Sequence, residues 1–456
     1  MPSGSEPHRD RSEPPPTGSR GEAIWSDRPI VRLTRPLERF MHVQAAGGLV
    51  LLGATLLALA AANSSLAETY RRVWEQPLEV ALGGFELAYP LWYWINDGLM
   101  AVFFFVIGIE IKRELVWGEL RDRRNVVLPA AAAAGGVLAP VAAYLLLQPD
   151  LPGRAVWAVP MATDIAFVVG CLALLGPRVP AGLKIFLLSL AIIDDILAVL
   201  VIAIFFTTSI NAAWLAGAAA GLGLTTLLNR LGVRPVTVYV LVGVGIWLCT
   251  LKSGVHPTVA GALLGLLTPA SAWLRSATLL EVVQRAVERL RRTDAGGGPD
   301  ADRREVAEDL AFAATESVSP LERLEHGLHP WVSFGIMPLF ALANAGVAVG
   351  LGGVTHPIAS AVMVGLVAGK PLGIVLASWL VIRLRLAKLP DGTSWNALVG
   401  AGCLGGIGFT MALFIASLSL AGPELEAAKS GILSGSAVSL CLGVGLLAWT
   451  LPRTSR

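Results

Sequence analysis

The chain has 456 residues, of which 54% are hydrophobic and only 15% are charged, and its mean hydropathy is +0.66. Soluble domains average about a quarter charged residues, so the composition excludes a soluble globule, which could not bury this much apolar surface. The formal net charge of +2 gives no reason to expect a nucleic acid as a partner. The composition therefore predicts a membrane protein whose main partner is the lipid bilayer.

The chain divides into a polar tail and a long apolar region. Residues 1–39 are rich in Pro, Arg and Ser and have little apolar periodicity, which is typical of a disordered tail. The tail is too long and too polar before its first apolar run to resemble a secretory signal. Residues 40–452 are predicted to form one all-α membrane domain.

Apolar stretches follow one another along this domain, and most have the roughly 17–25 residues that a helix needs to cross a bilayer. They lie at 41–61, 91–109, 126–147, 155–175, 183–206, 212–228, 236–251, 255–267, 332–349, 358–382, 398–420 and 428–451. The stretch at 255–267 is short, so it is either a half-buried segment or extends through Ser253 and Thr268. About twelve spans is the favoured number.

The positions of Lys and Arg predict the orientation of the spans. With twelve spans and an inner N-terminus, 29 of the 35 Lys and Arg residues fall on the cytoplasmic side and five on the outer side. The remaining one, Lys370, lies within a span. We therefore expect a multi-pass protein of the cell inner membrane with both termini in the cytoplasm.

Two segments between spans are long enough to have structure of their own. The outer segment 63–90 is predicted to form a hairpin or a short helix. The enlarged cytoplasmic loop 271–320 combines a helical stripe with a Gly-rich break at 296–298. The stripe consists of Leu280, Val283, Val287 and Leu290. An interfacial amphipathic helix and a plain solvated linker account for the loop equally well.

Ionisable side chains inside spans are costly, by at least about 2.5–3.5 kcal/mol each on insertion scales, so each is a candidate functional group. They are Asp164 in the fourth span, Asp194 and Asp195 in the fifth, Lys370 in the tenth, and Asp97, Glu110 and Glu114 in or at the end of the second.

Asp194 and Asp195 stand side by side at the centre of the fifth span. Neighbouring helix residues point about 100° apart, so one carboxylate can line a water-filled site while the other meets a neighbouring helix. Two carboxylates in an apolar place lose hydration and repel each other, so we expect at least one to titrate near neutral pH. Such an oxygen ligand holds either Na⁺ or H⁺, which is the basis of exchange. The alternative is a pair of structural polar groups.

Lys370 and Asp164 each have a structural and a functional interpretation. Lys370 either extends toward an interface or, as its central position favours, provides the counter-charge for one Asp. Asp164 follows Pro160 and Thr163, residues that loosen a helix or bond to its backbone. It is expected to cap a half-helix, which is compatible with a role in ion binding.

The eleventh span is interrupted by glycines at Gly405, Gly406 and Gly408. Interrupted helices at corresponding places of inverted-topology repeats indicate the binding site of a transporter. Spans three to five and ten to twelve are the candidate repeats, with helices 4 and 11 interrupted. Close packing alone also accounts for Gly-rich spans.

Charged residues collect at the predicted cytoplasmic edge of the spans. This charged rim consists of Glu110, Lys112, Arg113, Glu114, Glu325, His326 and His329. Histidines near carboxylates can sense pH in the physiological range, which makes the acidic residues and histidines of the rim candidates for a pH response. An ordinary solvated rim accounts for these residues equally well.

The motifs around these residues resemble the NhaA family of Na⁺/H⁺ antiporters, from about Glu38 to Leu451. They are MAVFFF at 100–105, ATDIAF at 162–167, LKIFL at 183–187, AIIDD at 191–195, KSGVH at 252–256, LEH at 324–326 with HPW at 329–331, GKPLG at 369–373 and GGIGFTM at 405–411. The resemblance implies a twelve-helix fold in which unwound helices 4 and 11 cross. Its departures are the long tail and the enlarged loop 271–320.

The resemblance also implies roles for single residues. It places Na⁺ on Asp195, with Asp194 as the proton carrier and partner of Lys370, so that both aspartates form the cation site. It gives Thr163 and Asp164 the task of compensating the facing half-helix ends. Asp97 becomes an accessory acid, and the charged rim responds to pH.

At the level of the whole protein, the resemblance implies an electrogenic antiporter that exports Na⁺ or Li⁺ in exchange for protons and serves sodium and pH homeostasis. It implies homodimers through the outer segment 63–90, no cofactor besides the transported ions, and no enzymatic activity.

Two other classes fit the sequence less well. An intramembrane aspartyl protease needs Asp residues in YD and GxGD contexts, and neither context occurs at Asp164 or at Asp194 and Asp195. A cation channel needs rings of carbonyls or side chains along a pore, and no filter-like segment is present.

Overall fold

The computed structural model describes residues 44–451, apart from 83–84, 208, 234, 273, 275, 297–299 and 349. The tail predicted for residues 1–39 lies outside the described residues, as does most of the Gly-rich break at 296–298. Within the described chain, helices dominate and two strands form one small sheet.

The first half of the chain contains these elements in order: α1 (Gln44–Ala62), α2 (Ala67–Glu75), β1 (Pro77–Leu82), β2 (Phe85–Pro90), α3 (Leu91–Val116, π-helical at Trp94–Leu99), α4 (Arg123–Leu147), α5 (Ile165–Leu175), α6 (Ala181–Phe205), α7 (Ala212–Arg230) and α8 (Val236–Ser253).

The second half continues with α9 (Thr258–Leu267), α10 (Ser276–Gly296), α11 (Asp300–Glu316), α12 (Pro320–Trp331), a π-helical segment (Val332–Ile336), α13 (Met337–Asn344), α14 (Leu351–Thr355), α15 (Pro357–Arg383, π-helical at Gly365–Gly369), α16 (Trp395–Gly405), α17 (Phe409–Ser419) and α18 (Gly422–Thr450).

Eight described helical segments are long and apolar enough to cross a membrane, or ten if each of two bent helix pairs forms one span. The bent pairs are α1 with α2, at 114°, and α16 with α17, at 41°. Helix α9 is apolar but shorter. The prediction of a helical membrane protein is confirmed, whereas the number of twelve spans stays a prediction.

The outer segment predicted at 63–90 contains both a helix and a hairpin. Strands β1 and β2 pair antiparallel, with Pro77 opposite Pro90. Helix α2 is fixed to the rest of the protein by Tyr70, whose hydroxyl donates to the Leu342 carbonyl. Burial raises the pKa of Tyr70 to about 12, so this hydroxyl keeps its proton and stays a donor.

Helices α3 and α9 approach each other through glycines. A Cβ on Gly108 would collide with the Ala262 carbonyl, and a Cβ on Gly265 would collide with the Phe105 carbonyl. Gly261 makes the same kind of contact with the α3 backbone. Small residues at a helix interface allow backbones to touch in this way, so α3 and α9 form one closely joined pair.

The enlarged loop 271–320 forms helices α10 and α11 in its described part. The two helices pack against each other, with Ala286, Val306 and Ala313 buried. Part of the predicted apolar stripe stays outside this contact, since Leu280 is 59% exposed. The described part of the loop is therefore largely helical, and its attachment to the membrane surface stays a prediction.

Candidate functional site

Two breaks in the helices meet each other. Before α5 the chain forms 3₁₀ turns at Gly153–Val156 and Val159–Met161 and then leaves helical geometry as far as Asp164. The second break, at 406–408, separates α16 from α17. The Asp164 N–H donates to the Ile407 carbonyl at 2.7 Å, so a backbone hydrogen bond joins the two breaks.

Asp164 bonds to the first turns of two half-helices. As the N-cap of α5, its Oδ1 accepts from the Phe167 N–H at 3.2 Å. Its Oδ2 accepts from the Thr410 N–H at 3.1 Å and from the Thr410 hydroxyl, at the start of α17. The first N–H groups of a helix lack partners within it, and a negative charge there is favoured by the helix dipole. One carboxylate thus serves both half-helix ends.

Asp194 forms a buried ion pair with Lys370. The distance from Lys370 Nζ to Asp194 Oδ2 is 2.8 Å, and the Thr163 hydroxyl donates to the same oxygen at 2.7 Å. Asp194 Oδ1 is buried and has no hydrogen-bond partner among the described residues. Buried charges are costly unless they are paired. Lys370 supplies that pairing and leaves one carboxylate oxygen free for a further ligand.

Backbone carbonyls at the two breaks complete this cluster. Lys370 Nζ also donates to the Met161 carbonyl, just before the non-helical stretch. The Thr163 hydroxyl lies 3.0 Å from the Gly405 carbonyl, at the last residue of α16. Carbonyls at the C-terminal end of a helix carry partial negative charge, so each break offers oxygen to a positively charged or hydrogen-donating group.

Asp195 is buried beside this cluster but is not part of its hydrogen bonding. Its carboxylate receives no hydrogen bond from the described residues, and the charged groups that act on it are Glu110, Asp194, Asp164 and Lys370. Three of these four are acidic. Hard cations prefer oxygen ligands, so the surroundings of Asp195 favour a small cation.

Asp97 lies in a different group of residues. It is buried in the π-helical part of α3, and its Oδ1 is 3.6 Å from His256 Nε2. The Trp247 indole N–H donates to the Asp97 carbonyl at 3.1 Å. The structure therefore pairs the predicted accessory acid with a histidine, and it does not place Asp97 in contact with Asp194 or Lys370.

The charged rim is held together by Arg113. This arginine forms an ion pair with Glu325 of α12 and lies 3.3 Å from Glu114. Glu114 also accepts from the Glu119 N–H at 3.1 Å. Glu110 lies one turn before Glu114, and it interacts electrostatically with Arg113 and Glu325 on one side and with Asp195 on the other. Glu110 thus connects the rim to the aspartate site.

The two rim histidines have different surroundings. His326 is exposed, and its Nδ1 lies 2.9 Å from the Glu322 carbonyl. His329 is also exposed, and desolvation by the residues around its ring lowers its pKa below the ordinary value. Glu325 opposes this shift, whereas Arg113 and His326 add to it. The pKa of His329 therefore depends on the charged groups around it.

Sequence reasoning left three participants of the site out. They are the Thr410 side chain and the carbonyls of Met161 and Gly405. The hydroxyl of Thr410, two residues after Gly408 in the break, was an available signal. His256 ends the KSGVH motif, but its contact with Asp97 has no sequence signal, because the two residues are far apart along the chain.

The arrangement can hold a monovalent cation and protons at adjacent places. Asp195 and the free oxygen of Asp194 offer carboxylate ligands, and Lys370 offers a positive charge that competes with an arriving cation for Asp194. Carboxylates in such a site bind a proton or a cation but not both at once. The chemistry that the described residues support is ion exchange.

The sequence of the chain was compared with known protein families and with curated proteins, and both comparisons indicate the same family. The profile of the family described as Na⁺/H⁺ antiporter 1 matches residues 38–447. The chain is 50% identical over 433 residues to the Na(+)/H(+) antiporter NhaA of Rhodopirellula baltica, covering 94% of this chain and 97% of the relative.

Two further relatives extend this comparison. The chain is 49% identical to the Na(+)/H(+) antiporter NhaA 2 of Sorangium cellulosum, over 92% of each chain. It is 46% identical to the Na(+)/H(+) antiporter NhaA of Rhizobium meliloti, over 91% of this chain and 94% of the relative. The resemblance read from the motifs is thereby confirmed: the chain belongs to the Na⁺/H⁺ antiporter 1 family.

Proposed function

We propose that this chain exchanges Na⁺ for protons electrogenically across the membrane, with the cation bound at Asp195 and Asp194. Family membership supports the exchange itself. The observation that carries the site is the difference between two neighbouring carboxylates. Lys370 neutralises Asp194, whereas Asp195 has no hydrogen bond among the described residues and stands mainly among acidic groups.

The proposed cycle alternates Na⁺ and protons on these two carboxylates. Na⁺ binds to Asp195 and to the free Oδ1 of Asp194, and it displaces the protons that these groups carry in the other part of the cycle. Lys370 and the Thr163 hydroxyl hold the second oxygen of Asp194. Li⁺ is also a small hard cation that prefers oxygen ligands, so it is a second expected substrate. No cofactor besides the transported ions enters the cycle.

Electrogenic exchange follows from the number of carboxylates. Two carboxylates that each release a proton when one monovalent cation binds exchange two positive charges for one. Two charges cross the membrane in one direction and one crosses in the other. Each cycle then transfers one net charge, so sodium export is driven by an inside-negative potential. In this direction the protein removes sodium from the cell and takes up protons, and it contributes to sodium and pH homeostasis.

Regulation by pH is assigned to the charged rim. Glu110 interacts with both the rim and Asp195, so a change of charge at Glu114, Glu325 or His329 alters the field at the cation site. Asp97 with His256 forms a separate acid–base pair, which fits an accessory role in proton movement.

Location and assembly follow the same reasoning. The asymmetry of Lys and Arg supports an inner-membrane protein with both termini in the cytoplasm, and a reporter fused after Arg456 tests this. The β1–β2 hairpin exposes Leu78 and Val80, which supports a homodimer formed through the outer segment 63–90. Crosslinking of single cysteines introduced at these two positions tests the dimer.

Purified protein in proteoliposomes with an internal pH dye tests the exchange. Addition of Na⁺ or Li⁺ to vesicles with an imposed pH gradient should change the internal pH, and K⁺ serves as the comparison cation. The variant Glu308→Gln, which removes an exposed carboxylate of α11, should respond as the parent protein does. If the parent protein reconstitutes in folded form and neither Na⁺ nor Li⁺ moves protons, the proposed function is wrong.

A further inference from the structure

A second set of polar groups lies beside the break between α16 and α17, on the α18 side. Ser439 of α18 is 1% exposed, and its hydroxyl has no hydrogen-bond partner within the described part of the chain. Ser436, one turn earlier, differs because its hydroxyl accepts from the Phe409 N–H at 3.1 Å. A buried hydroxyl without a partner is destabilising, which makes Ser439 a candidate for a partner that is not a protein group when other unpartnered polar groups lie beside it.

The carbonyl of Leu366 is the second group. In a regular α-helix it would accept from the N–H of residue 370. Here Gly365–Gly369 is π-helical, and the Lys370 N–H donates to the Gly365 carbonyl instead. The next residue is Pro371, which has no N–H to donate. The Leu366 carbonyl is therefore left without a donor from its own helix.

Gly406 brings these groups to one place. A Cβ on Gly406 would lie 2.7 Å from Ser439 Oγ and 3.1 Å from the Cys403 carbonyl oxygen, with the Leu366 carbonyl oxygen nearer still. Three oxygens from α15, α16 and α18 therefore surround the side of Gly406 where another residue would carry its side chain. These oxygens approach too closely for any side chain, so only a glycine fits at this point of the interrupted helix.

We propose that Ser439 and the carbonyls of Leu366 and Cys403 bind one water molecule beside Gly406. Buried waters typically make about three hydrogen bonds to polar groups. The Cys403 carbonyl already accepts from the Gly406 N–H at 3.0 Å and has a second lone pair to offer. The Ser439 hydroxyl donates to the water, which donates its two hydrogens to the two carbonyls. A cation suits these ligands less well, because none of the three carries the negative charge that a buried cation needs.

The water joins three elements that carry the site. It links the π-helical segment directly before Lys370, the break directly after Gly405, and helix α18. Gly405 contacts the Thr163 hydroxyl, and Lys370 contacts Asp194. The water site thus helps to hold the lysine helix in position against the broken helix. It involves none of the proposed ion ligands, and its test is independent of transport.

Thermal unfolding of the purified protein gives the first test, with Ser439→Ala compared against Ser378→Ala. Ser378 of α15 is equally buried and also lacks a hydrogen-bond partner among the described residues. Removing a merely unpartnered hydroxyl leaves the Tm unchanged or raises it. We expect Ser439→Ala to lower the Tm by roughly 2–4 °C and Ser378→Ala not to lower it. A Tm for Ser439→Ala at or above that of the parent protein overturns the proposal.

A cryo-EM map that resolves ordered waters gives the second test. We expect a density peak within hydrogen-bond distance of both Ser439 Oγ and the Leu366 carbonyl oxygen, and we expect Ser439→Ala to lose it. The competing arrangement is a direct contact of the Leu366 carbonyl with the Cα–H of Gly406. A well-ordered map with that contact and no peak between the two oxygens overturns the proposal.

Discussion

Lys370 Nζ lies 2.8 Å from Asp194 Oδ2, and neither side chain is more than 1% exposed. Asp195, the next residue along α6, has no such contact with a described residue. Adjacent residues of a helix point about 100° apart, so one lysine on a neighbouring helix can pair with only one of two adjacent aspartates. The pairing gives the two carboxylates different roles, so substitutions of Asp194 and Asp195 should have different effects.

Changing Asp195→Asn should abolish sodium-dependent proton movement at every pH. The amide keeps a neutral oxygen but loses the negative charge that a buried Na⁺ requires. Isothermal titration calorimetry with NaCl should detect no binding to this variant, whereas Glu308→Gln should bind Na⁺ as the parent protein does. Retained Na⁺ binding by Asp195→Asn would show that the cation ligand has been assigned to the wrong residue.

Changing Asp194→Asn should destabilise the protein, because it leaves the Lys370 ammonium buried without its counter-charge. Breaking a buried ion pair from one side typically costs about 3–5 kcal/mol. Adding Lys370→Ala removes the stranded charge, so the double variant should have a higher Tm than Asp194→Asn alone. The pairing is refuted if Lys370→Ala instead restores the stability or the Na⁺ binding of Asp195→Asn.

Changing Thr410→Val should weaken the junction of the two half-helices. It removes the hydroxyl that donates to Asp164 and keeps the backbone N–H bond to the same carboxylate. Loss of a hydrogen bond to a charged group costs about 1.5–3 kcal/mol, and denaturant unfolding in detergent measures it. Thr410→Ser should retain most of the parent stability. Equal losses in both variants would mean that the Thr410 methyl group, not its hydroxyl, stabilises the junction.

The stability of the protein should fall at acid pH partly because of His329. Desolvation lowers the pKa of His329 in the folded protein, so the unfolded chain binds a proton more readily. Stability is therefore lost as the pH falls through the unfolded value of about 6.5. The variant His329→Gln has no titrating side chain at this position, so its Tm should change less than that of the parent protein between about pH 7.5 and 5.5.

The matched control for this prediction is His326→Gln, which removes another exposed histidine of the same rim. The change in Tm of His329→Gln between the two pH values is compared with the change in this variant. If His329→Gln and the parent protein lose the same Tm over this range, His329 does not contribute to the acid sensitivity.

The rate of exchange should depend on the membrane potential. If two protons enter for each Na⁺ that leaves, an inside-negative potential of 100 mV contributes about 2.3 kcal/mol per cycle. In proteoliposomes, a K⁺ diffusion potential set with valinomycin should accelerate sodium efflux when the inside is negative and slow it when the sign is reversed. Exchange that ignores both potentials is electroneutral and contradicts the two-proton cycle.

The sequence predicts the helices and the charged candidates well, for a simple physical reason. Repeated apolar runs of span length are typical of membrane helices, and a charge within such a run is costly enough to be selected for a purpose. The sequence alone could not pair Lys370 with Asp194, because helical periodicity fixes the angle between neighbours but not the rotation of the helix in the fold. That assignment came from the family resemblance.

The features of the site that the sequence did not predict depend on the conformation of the backbone. The carbonyls of Met161 and Gly405 contact the site because the chain leaves helical geometry nearby, and every residue has the same carbonyl. The π-helical turn before Lys370 is followed by Pro371, whose missing N–H is a signal in the sequence. The π-helical turn around Asp97 has no such proline after it. The position of Thr410 just after the glycines is a signal in the sequence, but its partner Asp164 could not be identified without the structure.

The glycine contacts between α3 and α9 have a mechanical consequence. The backbones of the two helices touch at Gly108 and Gly265, so no layer of side chains that could deform lies between them. A displacement of one helix therefore displaces the other. Glu110 lies two residues after Gly108. The carboxylate of Glu110, which connects the rim to Asp195, is thus carried by a closely joined pair of helices. A movement of α3 that brings Glu110 nearer to the cation must also move α9.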